Sequence, residues 1–199
     1  MEYLVKECYK DKDSNLHFDG LLEVEINPFL DSRGYVFEPW SDIDLNCNKI
    51  INSYYPDGLS FVQELQSGSP RNTIRGLHYQ LPEFPMAKMF RCISGRVLAV
   101  AVDLREGSET YMKHYSVKLT PESFKQFFVP VGFAFGFSVL SNYAEVLYKQ
   151  TGKYSKPHNM CLLYSSEILG IDWFVTDPIL SSQDKNALDA KFYKSVFNI

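Results

Sequence analysis

Residues 96–104 read RVLAVAVDL, with Gly95 in front and the charged turn REGSE behind. Between Arg96 and Asp103 every residue is Val, Leu or Ala. A short apolar run of that kind, bracketed by turn residues, predicts a strand buried on both faces. The neighbouring segments point the same way. KHYSVKL (113–119) alternates, placing Tyr115, Val117 and Leu119 on one face. PESFKQFFVPVGFAFGFSVL (121–140) is a pair of apolar runs broken by Pro130 and Gly132. AEVLYKQ (144–150) alternates again, with Val146 and Tyr148 on one face and Glu145 and Lys149 on the other. Many short strands separated by turn signals predict an all-β sandwich or barrel.

Two segments break this pattern. SDIDLNCNKIINS (41–53) has a Ser N-cap and the apolar residues Ile43, Leu45, Ile50 and Ile51, which predicts a short helix. SSQDKNALDAKFYKSV (181–196) reads as a C-terminal helix capped by Ser182 or Asp184.

Composition narrows the function classes. A chain of 199 residues fits one domain with a real core, expected here over 1–199. Aromatic residues make up 15%, which suits half-buried pleated surfaces and leaves rings to line a pocket. The net charge is -4 and no Lys/Arg tract is present, so a nucleic-acid polymer is not an expected partner. The N-terminal MEYLVKECYKDKDSNLHF is neither a signal peptide nor a membrane span, and a cytoplasmic protein is expected. Cys8, Cys47, Cys92 and Cys161 are scattered without a CxxC pair, which predicts free thiols and no cysteine-based zinc site. The four histidines (His17, His78, His114, His158) include no His-x-His pair, so no catalytic metal is expected.

NTIRGLHYQ (72–80) is the segment richest in chemistry. Arg75 and His78 are three apart and would face opposite ways on a regular strand. Gly76 permits a bulge that would aim both inward. Taken alone, His78 also reads as a satisfied core histidine, Tyr148 as a core aromatic and Lys88 as a solvated charge.

The wider pattern decides between these readings. NPFLDSRGYVFEPW (27–40), the run from FVQEL to GSETY (61–111), FFVPVGFAFGFSVLSNYAEVLYKQTGKYS (127–155) and ILGIDWFVTDPILSSQDKN (168–186) occur in order. Over residues 25–185 the chain resembles the dTDP-4-dehydrorhamnose 3,5-epimerase family. RGLHYQ followed by a Lys, then GRVLxVxVDLRxGS, then PxGFAxGF, is specific in combination. The resemblance implies a cupin-type jelly-roll barrel, a homodimer formed by strand exchange, and no metal or organic cofactor. It implies an isomerase that epimerises C3, C5 or both of a nucleoside-diphosphate 4-keto-6-deoxyhexose, in deoxysugar biosynthesis such as that of lipopolysaccharide O-antigen.

That chemistry calls for particular residues. A ketone at C4 acidifies the C–H bonds at C3 and C5, because the carbanion is shared with the ketone oxygen. Inversion needs a base on one face of the ring, an acid on the other, and a cation near the developing enolate. On the resemblance, His78 is the base, Tyr148 the acid and Lys88 the lysine beside the keto oxygen. Arg33, Glu38, Gln63 and Arg75 match pocket positions, some reaching the site from the partner chain, and Phe29 and Phe37 are candidate wall residues. Arginine suits the diphosphate because its fork matches phosphate oxygens.

Four positions depart from the family pattern. The aspartate expected beside the base, sought in the Trp-Asn-Asp-Pro segment, is Ser166, which is left as a weak orienting hydroxyl. The His of GFAHGF is Phe135, the Asp of GRVLDV is Ala99, and the Asn of QxN is Leu65. In a hydrolase triad, loss of the orienting acid lowers turnover by roughly 10⁴. The departures leave open inversion at one carbon only, another nucleotide such as CDP or GDP, or a binding protein that does not turn the sugar over. A sugar 3,4-ketoisomerase on the same barrel uses a similar enolisation.

Overall fold

A computed structural model describes residues 3–10 and 16–198. In chain order the elements begin with β1 (Tyr3–Tyr9), β2 (His17–Ile26), β3 (Phe29–Asp31), β4 (Gly34–Val36), α1 (Asp42–Asn46) and α2 (Lys49–Tyr54). Strands β5 (Gln63–Pro70), β6 (Ile74–Gln80), β7 (Lys88–Ser94), β8 (Val97–Asp103), β9 (Arg105–Glu106) and β10 (His114–Leu119) follow. The chain ends with β11 (Lys125–Val129), β12 (Phe133–Val139), β13 (Tyr143–Gln150), β14 (Asn159–Cys161), α3 (Ser182–Lys185) and β15 (Phe197–Asn198). Two antiparallel sheets carry the fold, one ordered β1-β2-β11-β7-β13-β5 and the other β10-β8-β12-β6-β14. They face each other as the expected cupin-type jelly roll.

The apolar run of β8 is buried along its whole length, and its alternation explains why. Val97, Ala99 and Ala101 face the barrel interior with Phe90, Phe127, Phe135 and Phe137. Leu98, Val100 and Val102 face outward beneath Leu162, Trp173 and Phe197 from the C-terminal segment. The other sheet is covered likewise: Leu22, Val24, Met89 and Phe128 pack under Leu45 of α1 and Ile51 of α2. Each large side chain removed from water in these layers contributes roughly 1.5–3 kcal/mol. No helix among the described residues is long and apolar enough to cross a membrane.

Both predicted helical segments need correction. Residues 41–53 form two short helices, because Asn48 accepts the N–H groups of Ile50 and Ile51 and so starts a second one. The C-terminal segment is mostly irregular, with a single 3-10 turn at Ala190–Phe192. Only Ser182–Lys185 is α-helical, and its cap is Ser181, whose hydroxyl accepts the Asp184 N–H at 3.1 Å. Beyond it Leu188 bridges to Leu162, with the Leu163 N–H donating to Leu188 at 2.8 Å. This backbone pairing holds the chain against the sheet and overrides its helical preference.

Candidate active site

A bulge in β6 builds the site. Phe137 of β12 lies opposite Arg75, and Phe135 lies opposite His78. Two steps along β12 thus span three along β6, so the odd spacing of Arg75 and His78 acts as an even one. Two glycines permit it. Gly76 has φ +118°, and a Cβ there would sit 2.6 Å from both the Gly136 Cα and the Phe135 carbonyl oxygen. Arg75 and His78 therefore line one cavity of about 370 Å³, as the sequence predicts. Lys88 from β7, Tyr148 and Gln150 from β13, and Asp184 from α3 line it too. Leu65, Met86, Phe135 and Phe137 give it an apolar wall.

His78 has a carboxylate partner that sequence reasoning missed. Its Nε2 lies 2.6 Å from Oδ1 of Asp184, which is 2% exposed. The Ser181 hydroxyl donates to the other Asp184 oxygen at 2.8 Å, and the Cys161 thiol donates to Oδ1 at 3.5 Å. Burial alone would raise the Asp184 carboxyl, but the His78 bond and charge, with Ser181 and Cys161, hold it below the usual carboxylate range. An ionised Asp184 accepts from Nε2–H, which leaves the Nδ1 lone pair as the basic atom. Ser166 does not orient His78: its hydroxyl donates to Asp189 at 2.6 Å and accepts the Ala190 N–H at 3.1 Å. It fastens the strap that follows α3, while α3 itself supplies the acid.

The other cavity groups are tuned by burial. Desolvation pulls the Lys88 ammonium down to about 8, and its Nζ lies 5.4 Å from the Phe135 ring centroid. Burial raises the Tyr148 phenol, partly offset by the Arg75 charge, so it stays protonated at neutral pH. Arg75 is braced by its Nε donating to Ser69 Oγ at 3.0 Å. Gln150 Oε1 is buried without a hydrogen-bond partner among the described residues. Gln150 lies two places beyond Tyr148 on one strand face, so the alternation that placed Tyr148 could have found it.

Four predicted binding residues lie outside this cavity. Phe29 and Arg33 sit on the β3–β4 hairpin, where Phe29 is 66% exposed and Arg33 pairs with Asp31 at 2.6 Å. Glu38 follows the hairpin and is exposed. Gln63 starts the edge strand β5, opposite Gln150, and is exposed. Phe37 packs edge-on against Phe124, with the Arg91 guanidinium 5.6 Å from its ring. Of the departing positions, Phe135 and Leu65 line the cavity and Ala99 lies in the core between the sheets.

Comparison with known proteins shows the family to which the chain belongs. The family model described as dTDP-4-dehydrorhamnose 3,5-epimerase matches residues 15–191. The chain is 37% identical over 176 residues to the dTDP-4-dehydrorhamnose 3,5-epimerase of Shigella flexneri, covering 87% of this chain and 94% of that one. It is 38% identical over 168 residues to that of Salmonella typhimurium, covering 84% and 88%. Among solved structures it is similar to the enzyme of that name from Elizabethkingia anophelis, with TM-score 0.80, 35% identity, and coverage of 94% and 97%. It also matches a dTDP-6-deoxy-D-glucose-3,5-epimerase from Legionella pneumophila in complex with dTDP-4-keto-L-rhamnose, with TM-score 0.81, 30% identity, and coverage of 96% and 95%.

Proposed function

Because the chain belongs to the dTDP-4-dehydrorhamnose 3,5-epimerase family, we propose that it inverts a nucleoside-diphosphate 4-keto-6-deoxyhexose with His78 as base, Tyr148 as acid and Lys88 as the enolate's counter-charge. One observation carries the assignment: base and acid come from opposite sheets, His78 on β6 and Tyr148 on β13, with one cavity between them. A ring bound there has one face toward each.

The steps follow from the groups present. Nδ1 of His78 takes the proton from the carbon next to the ketone, and the C–H electrons move into the C4 oxygen. The Lys88 ammonium meets the charge that forms there, in a desolvated setting where such a contact is worth roughly 3–4 kcal/mol. Tyr148 gives its phenolic proton to the other face of the carbon, leaving the stereocentre inverted. Asp184 keeps the imidazole in the tautomer that has its lone pair in the cavity and stabilises the imidazolium. The missing acid had favoured a protein that binds without turnover, and Asp184 removes that ground.

The test is proton exchange. Protein incubated in D₂O with dTDP-, CDP- and GDP-linked 4-keto-6-deoxy sugars should place deuterium at C3, C5 or both, read by NMR. No deuterium at either carbon with any of them would defeat the assignment, and a shift of the carbonyl to C3 would make the protein a ketoisomerase.

The same proposal covers the assembly. Leu30 of the hairpin is 74% exposed and β5 leaves an open sheet edge, features that a second copy would cover by strand exchange. Arg33, Glu38, Gln63 and Phe29 would then complete the nucleotide end of a site. A cytoplasmic setting, consistent with free cysteines, and a role in O-antigen sugar supply complete the reading.

A further inference from the structure

We propose that His78, Cys161 and Asp184 together form a site for one soft divalent cation of the zinc class, and that filling it switches epimerisation off. The three ligands come from separate elements: His78 from β6, Cys161 from β14 and Asp184 from α3. This is why no CxxC or His-x-His spacing marks them. Cys161 lies directly opposite His78 in the β14–β6 pairing, and α3 sets Asp184 beside both.

The donor atoms are close enough to share one ion. His78 Nε2 and Asp184 Oδ1 are 2.6 Å apart, Cys161 Sγ is 3.5 Å from that oxygen, and all three lie within 4.8 Å of one another. Bonds of about 2.0–2.3 Å in a tetrahedron separate neighbouring ligands by roughly 3.3–3.7 Å. The Nε2–Oδ1 pair must open by somewhat less than about 1 Å, and the Sγ–Oδ1 pair already fits. One sulfur, one imidazole nitrogen and one carboxylate oxygen suit zinc-class ions, whereas magnesium and calcium take oxygen ligands. Ser181, donating to Asp184 Oδ2 at 2.8 Å, supplies the outer hydrogen bond that holds a ligating carboxylate. His78 and Asp184 both line the cavity, which gives the ion its way in and leaves a fourth position for water.

Binding is inhibitory for a reason of proton placement. The ion takes the Nε2 lone pair, so the ring proton moves from Nε2 to Nδ1. The thiol proton leaves to solvent, one for each ion bound. The Nδ1 lone pair is then gone, and the ring cannot take a proton from carbon. This half of the inference rests on His78 being the base.

Cobalt(II) is the probe, because a cobalt–thiolate bond has a near-ultraviolet charge-transfer band visible without any turnover. The band should saturate at one equivalent and disappear when zinc is added. Deuterium exchange should fall with the same midpoint and return with a chelator. The C161S variant keeps a donor for Asp184, and its melting temperature checks the fold. It should lose the band and need at least ~100-fold more zinc for half-inhibition. C47S, which removes the exposed thiol, should keep the band. A wild-type protein without the band, or C161S titrating like wild type, would overturn the site. A band with undiminished exchange would overturn the inhibition alone. A protein that shows the band yet never exchanges deuterium would keep the site and sink the epimerase reading instead.

Discussion

The cavity between the sheets and the β3–β4 hairpin use the same residue types in opposite ways. In the cavity Arg75 is braced by Ser69, Asp184 is held by Ser181, and His78 is fixed by Asp184. On the hairpin Arg33 reaches Asp31 two residues away, in the open, and Phe29 is largely exposed. The contrast separates two tasks. Moving a proton to and from carbon needs reacting atoms held at about 3–3.5 Å, which requires strands packed on both faces. Gripping a diphosphate or a base tolerates side chains that order only on binding, at an entropic cost. On the function proposed above, the chemistry is built within one chain and recognition is completed by a second copy.

The largest effects should fall in the cavity. H78Q should lower deuterium exchange by about 10⁴ or more, with dTDP affinity kept, read by NMR exchange and calorimetry. D184N should keep the fold and lose roughly 10²–10⁴ in turnover, because an amide fixes the wrong tautomer. S166A sharpens the contrast: it should leave turnover near wild type and lower stability by about 1 kcal/mol through the bond to Asp189. Equal kinetic losses in S166A and D184N would return the orienting role to Ser166.

Part of this could be read from sequence because it depends on local period. RVLAVAVDL announces a strand packed on both sides, and AEVLYKQ puts Tyr148 on the interior face. The bulge at Gly76 was foreseeable because a glycine inside a strand-like run permits one, and the structure adds that a Cβ there would collide with Gly136. Asp184 was not legible. It lies 106 residues from His78, in a segment whose apolar spacing resembles a helix. Nothing in local periodicity says which distant turn folds across a given strand end, and the carboxylate was sought one segment too early, at Ser166. The hairpin is a different case: only the family resemblance marks Arg33 and Phe29 as binding residues, and in their own chain they lie outside the His78 cavity.

Lys88 gives the next effect and a test of the cavity's polarity. K88M should lower turnover by about 10²–10³ through loss of the charge beside the enolate. With the ammonium pulled down to about 8, the wild-type rate should fall as pH rises through 8. K88R, whose guanidinium stays charged, should move that limb upward. The same shift has a stability consequence of defined sign. A lysine whose folded value lies below its ordinary 10.5 destabilises the fold in full below about 8, and this penalty fades as pH rises toward 10.5. K88M should therefore be more stable at pH 7, by on the order of 2–3 kcal/mol, seen as a melting point several degrees higher. An unchanged melting point would mean that water or a second chain solvates the ammonium.

The hairpin should give the smallest effect on turnover and the clearest one on binding. R33A and F29A change side chains that touch no group of the cavity in their own chain, so their single-turnover rate with saturating substrate should match wild type. Their KM should rise about 10-fold, the loss of one charge-assisted contact or one aromatic face. If strand exchange brings the hairpin to the partner's cavity, mixing R33A with H78Q should regain activity at substrate well below KM, because a mixed dimer contains one cavity with an intact His78 facing an intact Arg33. Isolated chains cannot show this complementation. A mixture no more active than the mean of its parents would place the hairpin outside the site and leave Arg75 as the phosphate's cation within the cavity.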